Sequence, residues 1–137
     1  MYTPPLKRKV PSDVQKLAYH RRRKFRESVG VCMVCGARNP INGLQVHEIA
    51  RGPFRQVALT RRSCWLVLCQ EHHDAMSDYT QWPIVKQLAL KLLKDKEGYN
   101  LDEVCYIRGR VKGAITQTEV DAEVSKLIDA GFNPGKT

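Results

Sequence analysis

The chain has 137 residues, of which 42% are hydrophobic and 27% are charged, and its formal net charge is +9. This length predicts one domain, and the composition excludes a disordered and a fibrous protein. The longest apolar runs, WLVL and LALKLL, are too short to span a membrane, and the segment MYTPPLKRKV lacks the apolar core of a signal peptide.

The positive charge is concentrated in the first half of the chain. Residues 1–62 hold 14 lysines and arginines against 3 acidic residues, whereas residues 63–137 hold 9 against 11. This asymmetry is typical of proteins that bind a polyanion, so we expect a nucleic acid as a partner and no membrane, and the alternative is a solubilising surface charge. The five cysteines are an odd number, which argues against a disulfide framework and favours a reduced, cytoplasmic setting.

The N-terminal part is predicted to be a basic arm followed by a basic helix. Residues 1–11 hold three prolines, and Ser12 with Gln15 forms a capping-box pattern that predicts a helix over 12–28. A helix dipole favours cations near its C-terminus, which accounts for some of the charge. The five cations of the segment HRRRKFR exceed that need, and we predict that they contact phosphates: Arg21, Arg22, Arg23, Lys24 and Arg26.

The middle of the chain predicts a β-hairpin followed by a helix. Gly30 ends the first helix, and a tight turn with the letters CMVC follows it. LQVHEI (44–49) alternates as a strand does, RGPFR is predicted to be a loop, and CWLVLC (64–69) is predicted to be a short buried strand. The segment QEHHDAM then begins a helix.

The C-terminal part is predicted to be helical. Pro83 is placed as the first residue of a helix over 83–96, a short helix follows over 101–109, and Thr118 caps a helix over 119–130 that Gly131 ends. The predicted organisation is therefore an arm (1–11), a core (12–80), a helical extension (81–131) and a tail (132–137). The mildly acidic extension is a candidate docking surface for a protein partner.

Two ligand pairs predict a zinc site. Cys32-x-x-Cys35 and Cys69-x-x-His72 each place two ligands on one turn, and together they complete the tetrahedron that zinc prefers. The alternative is a reduced CxxC motif beside an unrelated buried Cys69. The 33 residues between the pairs are too many for a classical zinc finger but enough for a hairpin. Cys64 and Cys105 are predicted to be buried apolar residues.

A second cluster is predicted from the residue after the last zinc ligand. Successive side chains on a helix diverge by about 100°, so His72 and His73 cannot both reach one small ion. If His72 binds zinc, His73 faces the strand that ends in VHEI. We therefore expect His47, Glu48 and His73 around one point, as a catalytic constellation.

The motifs CMVC, HEI and LCQEHH, in this order over about residues 31–76, resemble the HNH endonucleases of the ββα-metal class, in particular the zinc-pinned phage and prophage forms. The resemblance implies an α+β fold with a small ββα-metal unit, and hydrolysis of DNA phosphodiester bonds with one divalent cation, Mg²⁺ or Mn²⁺. It implies a bacterial host cell or its nucleoid as the location. It assigns the structural zinc to Cys32, Cys35, Cys69 and His72, the catalytic ion to His47 and His73, and the general-base position to Glu48.

Two positions depart from that family's pattern. Glutamate stands where the family usually has a histidine base, and it accepts a proton less readily by roughly two pKa units, or about 3 kcal/mol. Exchanged roles, with His47 as the base and Glu48 as a metal ligand, stay open, because a carboxylate suits Mg²⁺ or Mn²⁺. Both residues can serve only if the strand ends or bulges there. Cys64 stands near the family's middle asparagine, whose hydrogen bonds Ser63 would replace in part.

The loop between the strands adds four arginines that we predict to contact phosphates: Arg51, Arg55, Arg61 and Arg62. Arg55 is the expected phosphate clamp, and the alternative for each is a solvated loop charge. The main alternative function is a non-catalytic zinc module that binds DNA or RNA through its basic half. That alternative leaves the predicted catalytic constellation without a role.

Overall fold

The computed structural model describes residues 12–50, 55–77, 79–109 and 114–134. Within these ranges the chain forms six α-helices, two short 3-10 turns and one antiparallel sheet of two strands, so the predicted α+β class is confirmed. None of the described helices is long and apolar enough to cross a membrane. The predicted arm (1–11), Arg51 and the end of the predicted tail (135–137) lie outside the described residues.

The basic helix α1 spans Ser12–Val29, close to its predicted bounds. Ser12 is itself helical, so it is not the N-cap that the capping-box pattern predicts. Residue 11, which precedes it, lies outside the described residues. Ala18 and Phe25 bury the apolar side of α1. Gly30 ends the helix in a left-handed conformation with φ +68°, and its N–H donates to the carbonyl of Arg26 (2.9 Å).

The predicted hairpin is present. Strand β1 (Leu44–Glu48) pairs with β2 (Trp65–Cys69), with Leu44 opposite Cys69 and Glu48 opposite Trp65. Every residue of β2 is buried, which explains its continuous apolar sequence. Helix α3 (Gln70–Ser77) follows β2 directly. The order of two antiparallel strands and then a helix agrees with the sequence pattern.

The predicted loop between the strands is partly helical, which corrects the prediction. Residues Arg55–Ala58 form the short helix α2, and a 3-10 turn over Arg62–Cys64 precedes β2. The helix packs against the sheet because Ala58 is fully buried and its carbonyl accepts from the Trp65 indole N–H (2.8 Å). Trp65 of β2 therefore holds α2 in place, although the sequence of α2 has no strong helical pattern of its own.

Three helices follow, with bounds that differ from the prediction: α4 (Ile84–Lys94), α5 (Leu101–Ile107) and α6 (Gln117–Asp129). Pro83 is the N-cap of α4 and not its first residue, since its ψ of 158° is extended. Thr116, not Thr118, caps α6. Its hydroxyl accepts from the Glu119 N–H and the Glu119 carboxylate accepts from the Thr116 N–H, a complete capping box.

Helix α4 is fixed to the sheet through a buried ionic cluster. Lys91 is fully buried, and its ammonium donates to the Trp65 carbonyl (2.8 Å) and to Asp95 (2.5 Å). Asp95 also accepts two hydrogen bonds from the Arg62 guanidinium. Burial lowers the pKa of Lys91 to about 8, against the opposing effect of Asp95. The cluster ties α4 to the first residue of β2 and so determines which α4 side chains face the hairpin.

Removing the buried ammonium should destabilise the protein. We expect Lys91→Met to lower the free energy of unfolding by about 3 kcal/mol at pH 7, because Asp95 and the Trp65 carbonyl lose a buried donor. Lys96→Met, at an exposed lysine in the turn after α4, is the matched control and should change it by less than about 0.5 kcal/mol. Urea unfolding of the zinc-loaded proteins measures both. Equal stability of the two variants would contradict the structural role of Lys91.

The same pair of proteins should differ in pH dependence. Above about pH 8 the folded chain releases the Lys91 proton, whereas the unfolded chain keeps it up to about its ordinary pKa of 10.5. The free energy of unfolding of the wild type should therefore rise with pH in this window, relative to that of Lys91→Met. A difference between the two proteins that stays constant from pH 8 to pH 10 would show that the Lys91 pKa is not lowered.

Candidate functional site

Four predicted ligands come together at one end of the hairpin. Cys32 and Cys35 lie in the turn after α1, Cys69 ends β2, and His72 lies in the first turn of α3. Their ligand atoms all lie within 4.8 Å of one another. They are therefore close enough to bind one metal ion.

Three distances within this cluster are close to those of tetrahedral coordination. The His72 Nδ1 atom lies 3.2 Å from Cys69 Sγ and 3.7 Å from Cys32 Sγ, and the sulfurs of Cys35 and Cys69 are 3.9 Å apart. A tetrahedral zinc ion with ordinary bond lengths separates such ligands by roughly 3.6 to 3.8 Å. Three thiols and one imidazole are also a donor set that zinc favours over magnesium or calcium.

The backbone explains why the CMVC segment can present two thiols. The Gly36 N–H donates to the Cys32 carbonyl (2.8 Å), and Gly36 has a φ of +76°, which a residue with a side chain rarely adopts. The Met33 N–H donates to the Val67 carbonyl (2.8 Å) and so attaches the turn to β2. This attachment brings the first ligand pair to the end of the strand that carries Cys69.

The other two cysteines lie outside this cluster, as predicted. Cys64 and Cys105 are fully buried, and burial raises the pKa of the Cys64 thiol to about 11, so the thiol stays protonated at neutral pH. Ser63, the expected partial replacement for the family's asparagine, donates its hydroxyl hydrogen to the Glu103 carboxylate of α5. That contact joins the hairpin to the C-terminal helices.

A pair of histidines lies between β1 and α3. The rings of His47 and His73 are perpendicular, with an interplanar angle of 86° and centroids 5.3 Å apart. His47 is fully buried, whereas 25% of the His73 side chain is exposed. The Nδ1 atom of His73 has no hydrogen-bond partner among the described residues and lies 3.9 Å from Asp74 Oδ1. The pair is therefore largely buried, and only the His73 side chain is partly exposed to solvent.

A glutamine from α4 completes the surroundings of His47. The Nε2 atom of His47 lies 2.8 Å from Gln87 Oε1. Gln87 is fully buried, and its amide nitrogen donates to the carbonyls of Trp82 (2.8 Å) and Met76 (3.3 Å). Gln87 was not predicted from the sequence, although a lone amide on the apolar face of a helix was a visible signal.

Glu48 contacts Arg22. Its carboxylate lies 2.5 Å from Arg22 Nη2, and the same guanidinium donates to the Leu59 carbonyl (3.3 Å) and lies over the Trp65 ring. Pairing continues regularly past this residue, since the Ile49 N–H donates to the Cys64 carbonyl (2.7 Å). The strand therefore has no bulge here, and adjacent side chains point to opposite faces.

The described residues thus bring together two of the three residues expected around one point. Among these residues, the one group of three or more metal-ligand side chains within 4.8 Å of one another is the Cys/His cluster. His47 and His73 meet, whereas Glu48 is held by α1. Arg22, predicted as a phosphate contact, binds this carboxylate, and Arg62 binds Asp95.

Of the remaining predicted cationic residues, Arg21 and Lys24 border a cavity next to α1. Arg21, Arg23, Lys24 and Arg61 are exposed and Arg26 is half-buried, whereas Arg55 is described only in its backbone. A cavity of about 550 Å³ separates α1 from residues 60–65. It contains no acidic side chain in its lining, which consists of Arg21, Lys24, Phe25, Ser28, Thr60, Arg62 and Trp65.

No protein-family model, no curated protein and no solved structure gives a significant match to this chain. The resemblance to HNH endonucleases therefore stays a prediction from the motifs.

The four-ligand cluster predicts one zinc ion per chain. We expect Cys69→Ser to lose the ion and much of the folded structure, because a closed zinc site in a small domain contributes directly to folding. Cys105→Ala, at a buried cysteine outside the cluster, should keep one equivalent. Elemental analysis and circular dichroism measure the two effects. Dialysed wild-type protein without zinc, or equal loss of zinc in both variants, would contradict the assignment.

Proposed function

We propose that this protein is a zinc-pinned, metal-dependent DNA endonuclease of the HNH type. The observation that carries the proposal is the contact between His47 and His73, at 5.3 Å between ring centroids, beside a separate four-ligand cluster. A module that needed zinc only for folding would have no use for a further pair of imidazoles outside the Cys/His cluster. The buried Nδ1 atom of His73 has no hydrogen-bond partner among the described residues, which is uncommon in native structures.

The Cys/His cluster itself is proposed to be structural. Its four ligands fill the tetrahedron, so no position is open for water or substrate. Catalysis therefore requires another centre. Because His72 and His73 are neighbours on α3, the orientation of the first toward the cluster turns the second toward β1. The structural ion would thereby set the position of the catalytic histidine.

The histidine pair fits one divalent cation. Two imidazoles that share an ion hold their ring centres roughly 5 Å apart, given metal–nitrogen bonds of about 2 Å, and the observed separation is 5.3 Å. Two nitrogen ligands suit Mn²⁺ better than Mg²⁺, whose preferred ligands are oxygens. A bound divalent cation would neutralise the charge that develops on the phosphate and on the leaving oxygen.

Glu48 lies on the opposite face of β1 from His47 and pairs with Arg22, so the regular strand does not support it as the proton acceptor at the histidine pair. Because the Glu48 side chain points away from His73, His47 is favoured over Glu48 as the second metal ligand. The exchanged roles, with His47 as the base and Glu48 as a metal ligand, therefore have less support. The attacking water would form the new oxygen–phosphorus bond and give its proton to solvent, while the bond to the 3′ oxygen breaks and that oxygen takes a proton from solvent.

The exposed cations of α1 are proposed to bind the DNA backbone. Arg21 and Lys24 border the cavity of about 550 Å³, whose lining has no acidic residue, and Arg61 follows α2 nearby in sequence. Such a surface attracts phosphates without reading bases. Arg22 and Arg62 are held in ion pairs with carboxylates and would contribute little to the net charge of this surface.

Plasmid cleavage tests the proposal. We expect the zinc-loaded protein to nick supercoiled DNA with Mn²⁺ or Mg²⁺, and His73→Ala to lower the rate by at least about 100-fold, because several kcal/mol of charge stabilisation depend on the ion. His20→Ala, at an exposed histidine of α1, is the matched control and should keep the wild-type rate.

Two results would reject this assignment. Absence of nicking by the wild type with every divalent ion would favour the alternative of a non-catalytic zinc module that binds DNA or RNA. Equal nicking by the wild type and by His73→Ala would place the active centre elsewhere.

The salt dependence of DNA binding tests the proposed interface. We expect Lys24→Gln and Arg21→Gln each to reduce the slope of log K against log salt by about 1, because each removes one phosphate contact. Lys126→Gln, at an exposed lysine of α6, should leave the slope unchanged. Fluorescence anisotropy between about 50 and 200 mM salt measures the slope. Equal slopes in all four proteins would exclude this surface.

A further inference from the structure

Gln87 is a buried amide that none of the predicted motifs includes. It lies on α4, forty positions after His47, and none of its surface is exposed. Burying an amide is costly unless its hydrogen-bonding groups are satisfied. Gln87 meets this condition with contacts to one side chain and two backbone carbonyls.

The two carbonyls determine how the amide is oriented. The amide nitrogen of Gln87 lies 2.8 Å from the Trp82 oxygen and 3.3 Å from the Met76 oxygen, and a backbone carbonyl can only accept. If the amide were rotated by 180°, its oxygen would face two other oxygens. Both N–H groups must therefore point to the carbonyls, which leaves Oε1 facing His47.

The orientation of the amide in turn determines which nitrogen of His47 carries hydrogen. Gln87 Oε1 can only accept, and it lies 2.8 Å from His47 Nε2, so Nε2 must donate. In a neutral imidazole with hydrogen on Nε2, the lone pair that can bind a metal or accept a proton is on Nδ1.

We propose that Gln87 is a positioning residue that holds His47 in the Nε2–H tautomer and so makes Nδ1 its metal-binding atom. The tautomer follows from the contacts of Gln87 alone, whereas the role of Nδ1 as a ligand rests on the proposed function. Metal-binding histidines commonly donate their other N–H to an oxygen, which fixes the ring and strengthens the ligand.

The packing of α4 supports this role. Lys91 lies one turn after Gln87, on the same side of the helix, and its ammonium donates to the Trp65 carbonyl (2.8 Å). Trp65 neighbours Leu66, the residue paired with His47 across the hairpin. Two successive turns of α4 thus contact adjacent positions of the sheet, so the amide is held in place by an anchored helix.

Long-range ¹H–¹⁵N correlation NMR of the zinc-loaded protein tests the tautomer directly. The chain has four histidines, so the His47 signals can be assigned by comparison with His47→Ala. We expect the wild type to show His47 with hydrogen on Nε2 only, and Gln87→Met to show a mixture of the two tautomers while it keeps a folded spectrum. Gln81→Met, at an exposed glutamine just before α4, is the matched control and should match the wild type.

A wild-type His47 with hydrogen on Nδ1 would overturn the proposal, whether or not Gln87→Met folds. A pure Nε2–H tautomer in a folded Gln87→Met protein would also overturn it, because the glutamine would then not be its cause.

Manganese affinity tests the consequence for the metal site. By electron paramagnetic resonance we expect Gln87→Met to bind Mn²⁺ about 10- to 100-fold more weakly than the wild type, with Gln81→Met unchanged. Unchanged affinity of Gln87→Met for Mn²⁺ would show that Gln87 has no influence on the metal site. If the protein shows the expected tautomer but never nicks DNA, the proposed nuclease function would be rejected. The role of Gln87 in setting the tautomer would still stand.

Discussion

The structure depends on one constraint, the meeting of three thiols and one imidazole at the end of a short hairpin. The ligands come from a turn, a strand end and a helix start, and their atoms lie within 4.8 Å of one another. A two-stranded hairpin alone is marginally stable in water, so a metal ion that joins these segments would contribute much of the folding free energy. The same ligation orients α3, because His72 faces the cluster and its neighbour His73 then faces His47.

A second set of contacts closes the other side of the hairpin. Helix α4 presents two buried polar side chains one turn apart, Lys91 to the backbone of β2 and Gln87 to a side chain of β1. Helix α1 contributes Arg22, which holds Glu48 on the opposite face of the same strand. Adjacent residues of β1 are thus held by different helices. The candidate site is therefore formed by α1 and α4 as well as by the segment that carries the recognisable motifs.

Local patterns in the sequence predicted the parts of this structure that depend on short spacings. The two-residue spacing of the ligand pairs predicted the Cys/His cluster, and the alternation around Val46 predicted β1. The direction of Glu48 could not be predicted, because it depends on whether the strand stays regular and on which cation α1 places there. Gln87 was missed for a similar reason: its partner lies forty positions away, and only the packing of α4 brings them together. Thr116 was missed in favour of Thr118, although its spacing to Glu119 is the capping-box pattern.

We propose that the chain holds two metal centres with different tasks, one closed by Cys32, Cys35, Cys69 and His72 and one formed around His47 and His73. Anomalous diffraction from crystals of the zinc-loaded protein soaked in Mn²⁺ distinguishes the two ions by their absorption edges. We expect zinc within the Cys/His cluster and manganese within bonding distance of His47 Nδ1 and of a ring nitrogen of His73. Manganese bound elsewhere, or none beside these two rings, would contradict it.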